Sequence, residues 1–278
     1  MKSPARLIGD QLSFEYAGRI SGLREASIEI SPGDRLALVG QNGSGKTTLA
    51  KLLAGLLEPA SGHVLLGDRD LKSIPPAELA RSIGFVFQNP DHQIFSPTVR
   101  QEIAFGPGNL GLSEHQIAER TEKMLAQFEL VPFADHPPAA LSFGLRRKVS
   151  VASVFAMDTP FLILDEPTLG LDWRTATQLM DLVVRSAQET KAILFISHDL
   201  RLVARYAKET SVLHQGELVA RGQTNRILLD RELLMQVGLA APPIVHLAAA
   251  LTDHGFPDNA LHVAGFVEAV AGMLEGER

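Results

Sequence analysis

The sequence predicts an α/β fold with a parallel-sheet core, a helical block inserted into it, and a small helical appendage at the C-terminal end. Three observations carry this. Short apolar runs of the kind buried in parallel sheets alternate with stretches of helical spacing. One such run opens directly into a glycine-rich turn followed by a helix. The segment from about residue 98 to 157 shows mostly helical periodicity, which returns from about Thr224 onward.

Taken in order, residues 6–14 and 24–30 alternate apolar and polar side chains, as half-buried strands do. Residues 36–39 form a buried-type strand that runs into the glycine turn. A helix follows over residues 46–57, stopped by Glu58-Pro59 and a turn at Ser61-Gly62. Residues 83–87 are apolar and strand-like. Within the helical block, residues 113–128 carry helical spacing, and a helix over 145–157 follows a Ser-Phe-Gly start. Residues 161–164, 192–196, 211–213 and 218–220 read as strands, with helices over 173–188 and 200–208 between them. Breaks at Ala241-Pro242-Pro243 and Gly255-Phe256-Pro257 divide the C-terminal helices. The expected division is a main domain over 1–225, its helical subdomain at about 90–158, and a helical appendage over 226–278.

Composition narrows the function classes. The chain has 278 residues, 45% hydrophobic and 21% charged, an ordinary globular balance. A net charge of −6 is wrong for neutralising a nucleic-acid backbone. With no cysteine, disulfides and Cys-ligated zinc or iron–sulfur sites are excluded. The nine histidines show no metal-ligand spacing. No apolar run approaches the roughly 20 residues that span a bilayer, and the first residues lack the apolar stretch of a secretory signal. A membrane role is therefore expected to be peripheral.

Residues 40–47 read GQNGSGKT and match G-x-x-x-x-G-K-[ST] at every fixed position. A triphosphate is a dense array of negative oxygens. Backbone N–H groups can cradle it only where side chains stay out of the way, hence Gly40, Gly43 and Gly45. The helix that follows points its positive end at the phosphates. Lys46 is expected to reach the β- and γ-phosphates, and Thr47 to ligate Mg²⁺. Asn42, Ser44 and Thr48 belong to the same nucleotide-contacting stretch. The strand over 161–164 ends in Asp165-Glu166. It delivers both acids to the C-terminal edge of the sheet, where ligands of open α/β sheets collect. Asp165 there would hold Mg²⁺, and Glu166 could polarise an attacking water.

With these residues in place, the chain resembles the ATP-binding cassette (ABC) family over roughly residues 5–225. The resemblance implies a P-loop NTPase cassette: the parallel core, an antiparallel β subdomain and the inserted helices. It places Tyr16 on the adenine, Gln88 in the glutamine loop that senses Mg²⁺ and water, and His198 at the switch histidine. Leu169-Gly170-Leu171-Asp172 looks like the loop that crosses the dimer interface; Asp172 could also cap the helix from Trp173. Leu141-Ser142-Phe143-Gly144 lies where the signature sequence is expected, so Ser142 and Gly144 would contact ATP held by the other subunit. Phe143 and Leu145 stand where the family has glycine and glutamine, and a ring at 143 is expected to loosen that grip.

Residues 87–99, FQNPDHQIFSPTV, with the downstream Ile103-Ala104-Phe105-Gly106-Pro107 and the C-terminal segment, are similar to the ATPases of energy-coupling factor importers and of cobalt and nickel importers. The resemblance implies ATP and Mg²⁺ as ligands, and a homodimer or a paralogous ATPase heterodimer. It implies a transmembrane scaffold subunit, a substrate-binding membrane subunit, and a place at the cytoplasmic face of the cell membrane. Ile94 and Phe95 are the favoured contacts for the scaffold, with Phe85, Phe87 and Phe105 as further candidates. An exporter motor shares the core motifs. A soluble ABC ATPase of DNA repair or translation is disfavoured, because neither cysteines, sustained heptads nor a second cassette are present.

Overall fold

The computed structural model describes residues 6–16, 20–187, 190–251, 256–257 and 260–276. Its strands are, in chain order, β1 (Leu7–Tyr16), β2 (Ile20–Ile30), β3 (Arg35–Val39), β4 (Ser61–Leu66), β5 (Arg69–Asp70), β6 (Ile83–Val86), β7 (Phe161–Leu164), β8 (Ala192–Ile196), β9 (Glu209–His214) and β10 (Glu217–Gln223). The α-helices are α1 (Lys46–Leu53), α2 (Pro76–Leu79), α3 (Val99–Asn109), α4 (Glu114–Gln127), α5 (Phe143–Ala156), α6 (Trp173–Ala187), α7 (Leu200–Tyr206), α8 (Thr224–Leu229), α9 (Arg231–Gln236), α10 (Pro243–Leu251) and α11 (Val263–Gly276). They build two sheets. One is four-stranded and antiparallel, in the order β2-β1-β4-β5. The other is six-stranded, in the order β10-β9-β3-β8-β7-β6. All of its neighbours pair in parallel except β10, which closes one edge antiparallel to β9.

The central strands are apolar throughout because both faces of their sheet are covered. Successive side chains point to opposite faces, so each strand feeds two cores. Leu36, Leu38, Ile163, Leu194 and Ile196 join the core shared with α1 and the antiparallel sheet. Ala37, Val39, Leu162, Leu164, Ile193 and Phe195 join the core shared with α5, α6, α7 and the C-terminal helices. Each fully buried Leu or Ile contributes on the order of 2 kcal/mol.

The inserted helices leave the sheet after β6 and return at β7. Their boundaries follow local chemistry. Thr98 caps α3 by accepting from Gln101 N, and Ser113 and Gln116 form a reciprocal capping box at the start of α4. Ser142 caps α5, its Oγ accepting from Leu145 N. The core of this block is an edge-on pair, Phe128 and Phe155, with ring centroids 5.5 Å apart. At the C-terminal end, Leu228, Leu234, Val237, Val245 and Ala248 are continuous with the core beneath the main sheet.

Several boundaries differ from the sequence reading. Residues 61 and 62 are not a turn but the start of β4, which pairs with β1. Gly62 has φ +80, and a Cβ there would lie 2.3 Å from the Gln11 carbonyl. The helix read to residue 57 ends at Leu53, and the one read from 145 begins two residues earlier because Ser142 caps it. The break at Gly255 lies outside the described residues. Among the described residues, no helix is long and apolar enough to cross a membrane.

Phe128 is fully buried. Its truncation leaves a cavity at the centre of the helical block. Phe128→Ala is expected to lower unfolding free energy by about 3–5 kcal/mol, measured by urea denaturation.

Candidate functional site

Three parallel strands end side by side and place the chemistry. β3 runs into Gly40, β7 into Asp165 and Glu166, and β8 into Ser197 and His198. At this edge a cavity of about 370 Å³ is lined by Tyr16, Gly22, Asn42, Gly43, Gly45, Lys46, Thr47, Thr48, Gln88, Glu166 and Ile196. Most of the candidates named from sequence thus meet in one place.

The glycine loop combines tight packing at Gly40 and Gly45 with an open face at Gly43. Gly40, Gly43 and Gly45 all have positive φ. A Cβ on Gly40 would meet the Leu213 carbonyl at 2.1 Å, and one on Gly45 the Gly22 carbonyl at 2.3 Å. Gly43 faces open space, which a Cβ would begin to fill. Ser44 is buried, and its Oγ has no hydrogen-bond partner. Lys46 folds back, its Nζ donating to the carbonyls of Gly40 and Gln41 at 2.8 Å each. Burial lowers the Lys46 pKa, while Glu166 and Asp165 pull it up. An ammonium held by two neutral carbonyls gains by exchanging them for anionic oxygens. The loop therefore fits a polyphosphate.

The carboxylates occupy distinct settings. Asp165 is buried and accepts a hydrogen bond from Thr47 Oγ1 at 3.1 Å. Burial pushes its pKa up, against the Thr47 hydrogen bond, and Glu166 pushes it further up. Glu166 has φ +48, in the left-handed region that non-glycine residues rarely adopt, a strain found at functional sites. Its Oε2 lies 2.9 Å from His198 Nδ1. With Glu166 ionised, that nitrogen carries the proton. Thr47 and Asp165, beside the loop lysine, offer the hard oxygen donors that Mg²⁺ takes. Gln88, exposed on the rim, is the third expected donor.

Tyr16 is 42% exposed at the mouth, its hydroxyl 2.9 Å from Thr48 Oγ1 and its ring edge-on to Phe14. Thr48 is buried, with this hydroxyl as its partner. Ser142 and Gly144 do not line the cavity. Ser142 is exposed at the start of α5, and Gly144 lies against Thr175 and Leu171. Phe143 turns into its own chain, its ring against Gly170 and the Arg147 guanidinium. Asp172 caps α6, accepting from Thr175 N and Oγ1, and these hydrogen bonds hold its pKa below the usual carboxylate value. Ile94 packs on the core, whereas Phe95 is 64% exposed and edge-on to Phe105. Phe85 and Phe87 pack on each other, half-buried.

Sequence reasoning missed Gly22 and Ile196 as lining residues. It also missed Gln93, which accepts from Phe87 N and donates to Ser150 O and Ser153 Oγ. Gln41, inside the glycine loop, donates to the Gly238 carbonyl at 3.3 Å and so touches the C-terminal helices.

A parallel sheet that brings a phosphate loop and a paired acid to one edge, with a helical block inserted between them, defines a nucleotide hydrolase of the cassette class. The family model for the ABC transporter matches residues 23–169. The chain is 37% identical to the energy-coupling factor transporter ATP-binding protein EcfA of Methanothermobacter thermautotrophicus, over 88% of this chain and 79% of that one. Its fold is similar to that of cbiO1 of Clostridium perfringens, part of the ABC transporter complex cbiONQ, with TM-score 0.73 and 33% identity over 87% and 97% of the two chains. It is also similar to an ATP-binding cassette solved as a post-hydrolysis dimer bound to ADP and Pi, with TM-score 0.70 and 25% identity over 78% and 98%. The chain belongs to the ABC transporter ATP-binding family, in its energy-coupling factor branch. It is an ATP-hydrolysing subunit of a transporter of that type.

Because ionised Asp165 has a raised pKa, it destabilises the nucleotide-free protein above the ordinary value of 3.8 and not below it. Asp165→Asn is therefore expected to raise the melting temperature at neutral pH while abolishing Mg-dependent hydrolysis. Thermal scans should show the gain shrinking as pH falls toward 4.

Proposed function

We propose that two such cassettes, this chain with itself or with a paralogue, close on two ATP molecules and so drive a membrane importer of a vitamin or a transition-metal ion such as cobalt or nickel. The observation that carries the reading is the division of the site. The cavity of Lys46, Thr47 and Glu166 excludes Ser142 and Gly144, and Ser142 stands exposed at a helix start suited to an anion. Such a half-site has work to do only against a nucleotide on another subunit. The dimeric cassette among the similar structures supports this arrangement. The likeness to EcfA and to a cbiONQ component supports the importer class.

Tyr16 would stack on adenine, with Asn42, Gly43, Ser44, Gly45 and Thr48 along the phosphates. Lys46 would leave the Gly40 and Gln41 carbonyls and donate instead to the β- and γ-phosphates. Thr47, Asp165 and Gln88 would hold Mg²⁺, which supplies charge neutralisation of the phosphate oxygens. Glu166, fixed by His198, orients water and accepts its proton; His198 stabilises the transferring phosphoryl group. Catalysis is then positioning and charge stabilisation, with no covalent intermediate. The chain would sit at the cytoplasmic face of the membrane, its Phe95–Phe105 pair against the transmembrane scaffold and its C-terminal helices contributing to dimerisation.

Glu166→Gln with Mg-ATP is expected to give a stable dimer by light scattering; a strictly monomeric variant, or one with robust turnover, contradicts the sandwich. Phe95→Ala should weaken co-purification with the membrane scaffold by about tenfold and leave the isolated ATPase rate unchanged. Equal loss of both would assign Phe95 to packing instead.

A further inference from the structure

Arg147 is among the largest fully buried side chains of the protein, and the hydrolytic mechanism gives it no part. It lies on α5, just over one turn beyond the Ser142 cap, yet its guanidinium leaves the helix for another element. Nη1 donates to the Phe87 carbonyl at 2.9 Å and Nη2 donates to the Gln88 carbonyl. The opposite edge of the same strand end is also held, since Gln93 Oε1 accepts from Phe87 N at 3.2 Å while its amide donates to Ser150 O of α5 at 2.7 Å. The backbone at 87–88 is thus pinned to α5 from both sides, and only the Gln88 side chain is left at the cavity. The guanidinium is covered by the Phe143 ring, 5.4 Å away, and that ring in turn rests on Gly170, in the loop after Glu166.

Burying a cation is costly unless hydrogen bonds and opposite charges compensate it. Burial lowers the Arg147 pKa to about 10, with Asp165, Glu166 and Asp91 drawing it back up. It therefore stays charged at neutral pH. A leucine or methionine would fill the same space without that penalty, but would leave two carbonyls unpaired at the base of the catalytic rim.

We propose that Arg147 is a positioning residue for hydrolysis: it sets the Gln88 backbone, and with Phe143 ties Gln88, the signature turn and the Gly170 loop into one strut. The proposal rests on Gln88 acting on Mg²⁺ and water. Nucleotide can still settle in the glycine loop without the strut, because Arg147 lines no part of the cavity. The placing of Gln88 toward Mg²⁺ and water is what depends on it.

The test uses the full-length chain and three readouts: ATP affinity in EDTA, Mg²⁺ half-saturation of hydrolysis, and kcat. Arg147→Met is expected to keep ATP affinity within about twofold, raise the Mg²⁺ half-saturation several-fold, and lower kcat by about tenfold, the effect of losing hydrogen bonds from a charged group. Arg147→Lys, which cannot fork across both carbonyls, should fall between; it carries the test if the Met variant does not fold. In a Gln88→Ala background, Arg147→Met should add less than about twofold, since both act on one group. Wild-type Mg²⁺ dependence and kcat in Arg147→Met, or a multiplicative effect of the two substitutions, overturns the strut alone. A silent Gln88→Ala overturns the role of Gln88, and the strut with it. A uniform loss of ATP affinity and melting temperature with unchanged Mg²⁺ dependence assigns Arg147 to folding and also overturns it.

Discussion

The chemistry depends on the in-register parallel pairing of β3 with β8 and of β8 with β7. Leu38 pairs with Ile196, and Leu164 with Phe195, so three strands terminate at one level. That common level brings together the three segments beyond the strand ends: a glycine loop, a pair of acids, and a serine–histidine turn. A one-residue slip in any of the pairings would exchange the two faces of that strand. It would move Leu36 and Leu38 into the helical core, and take Lys46, Asp165 or His198 out of reach of the others. The double burial of these strands is therefore what fixes the site, because each face has its own core to satisfy.

The charges gathered at that edge are held in a state of readiness. Lys46 is desolvated and leans on carbonyls; Asp165 is desolvated and leans on Thr47. Both are stabilised less well than in water; on the proposed function a phosphate would compensate the Lys46 ammonium and a divalent cation the Asp165 carboxylate. Glu166 is strained at its backbone and tethered by His198. Preorganisation of this kind raises the energy of the empty site and lowers that of the loaded one.

Much of this was legible in the sequence, for identifiable reasons. The buried strands read as apolar runs because both faces are covered, and the glycine loop read as a phosphate cradle because its positive-φ positions demand glycine. The start of α5 was read two residues late, at 145, although the serine at 142 carries the signal of a cap. Strand β4 was not legible, since Ser61-Gly62 carries the composition of a turn, and only pairing with β1 makes it a strand. Arg147 was hidden among Arg146 and Lys148, a run that resembles a solvated face. Helical phase was the available clue: positions 143, 147, 150, 151 and 154 share one side of α5, and Ser150, Val151 and Val154 are buried with Arg147. The inward turn of Phe143 had no such signal, because Gly170 and the guanidinium meet it only in three dimensions.

The contact between Gln41 and Gly238 bears on what the last fifty residues are. A side chain from the middle of the glycine loop rests on the turn between α9 and α10, so closely that even a methyl group at 238 would meet the Gln41 amide at 1.9 Å. Those C-terminal helices also supply Leu228, Val237 and Val245 to the core under the main sheet. The tail supplies no lining to the cavity, but it braces the glycine loop through Gln41, and shortening the chain after β10 would take away that prop together with part of the core under the main sheet.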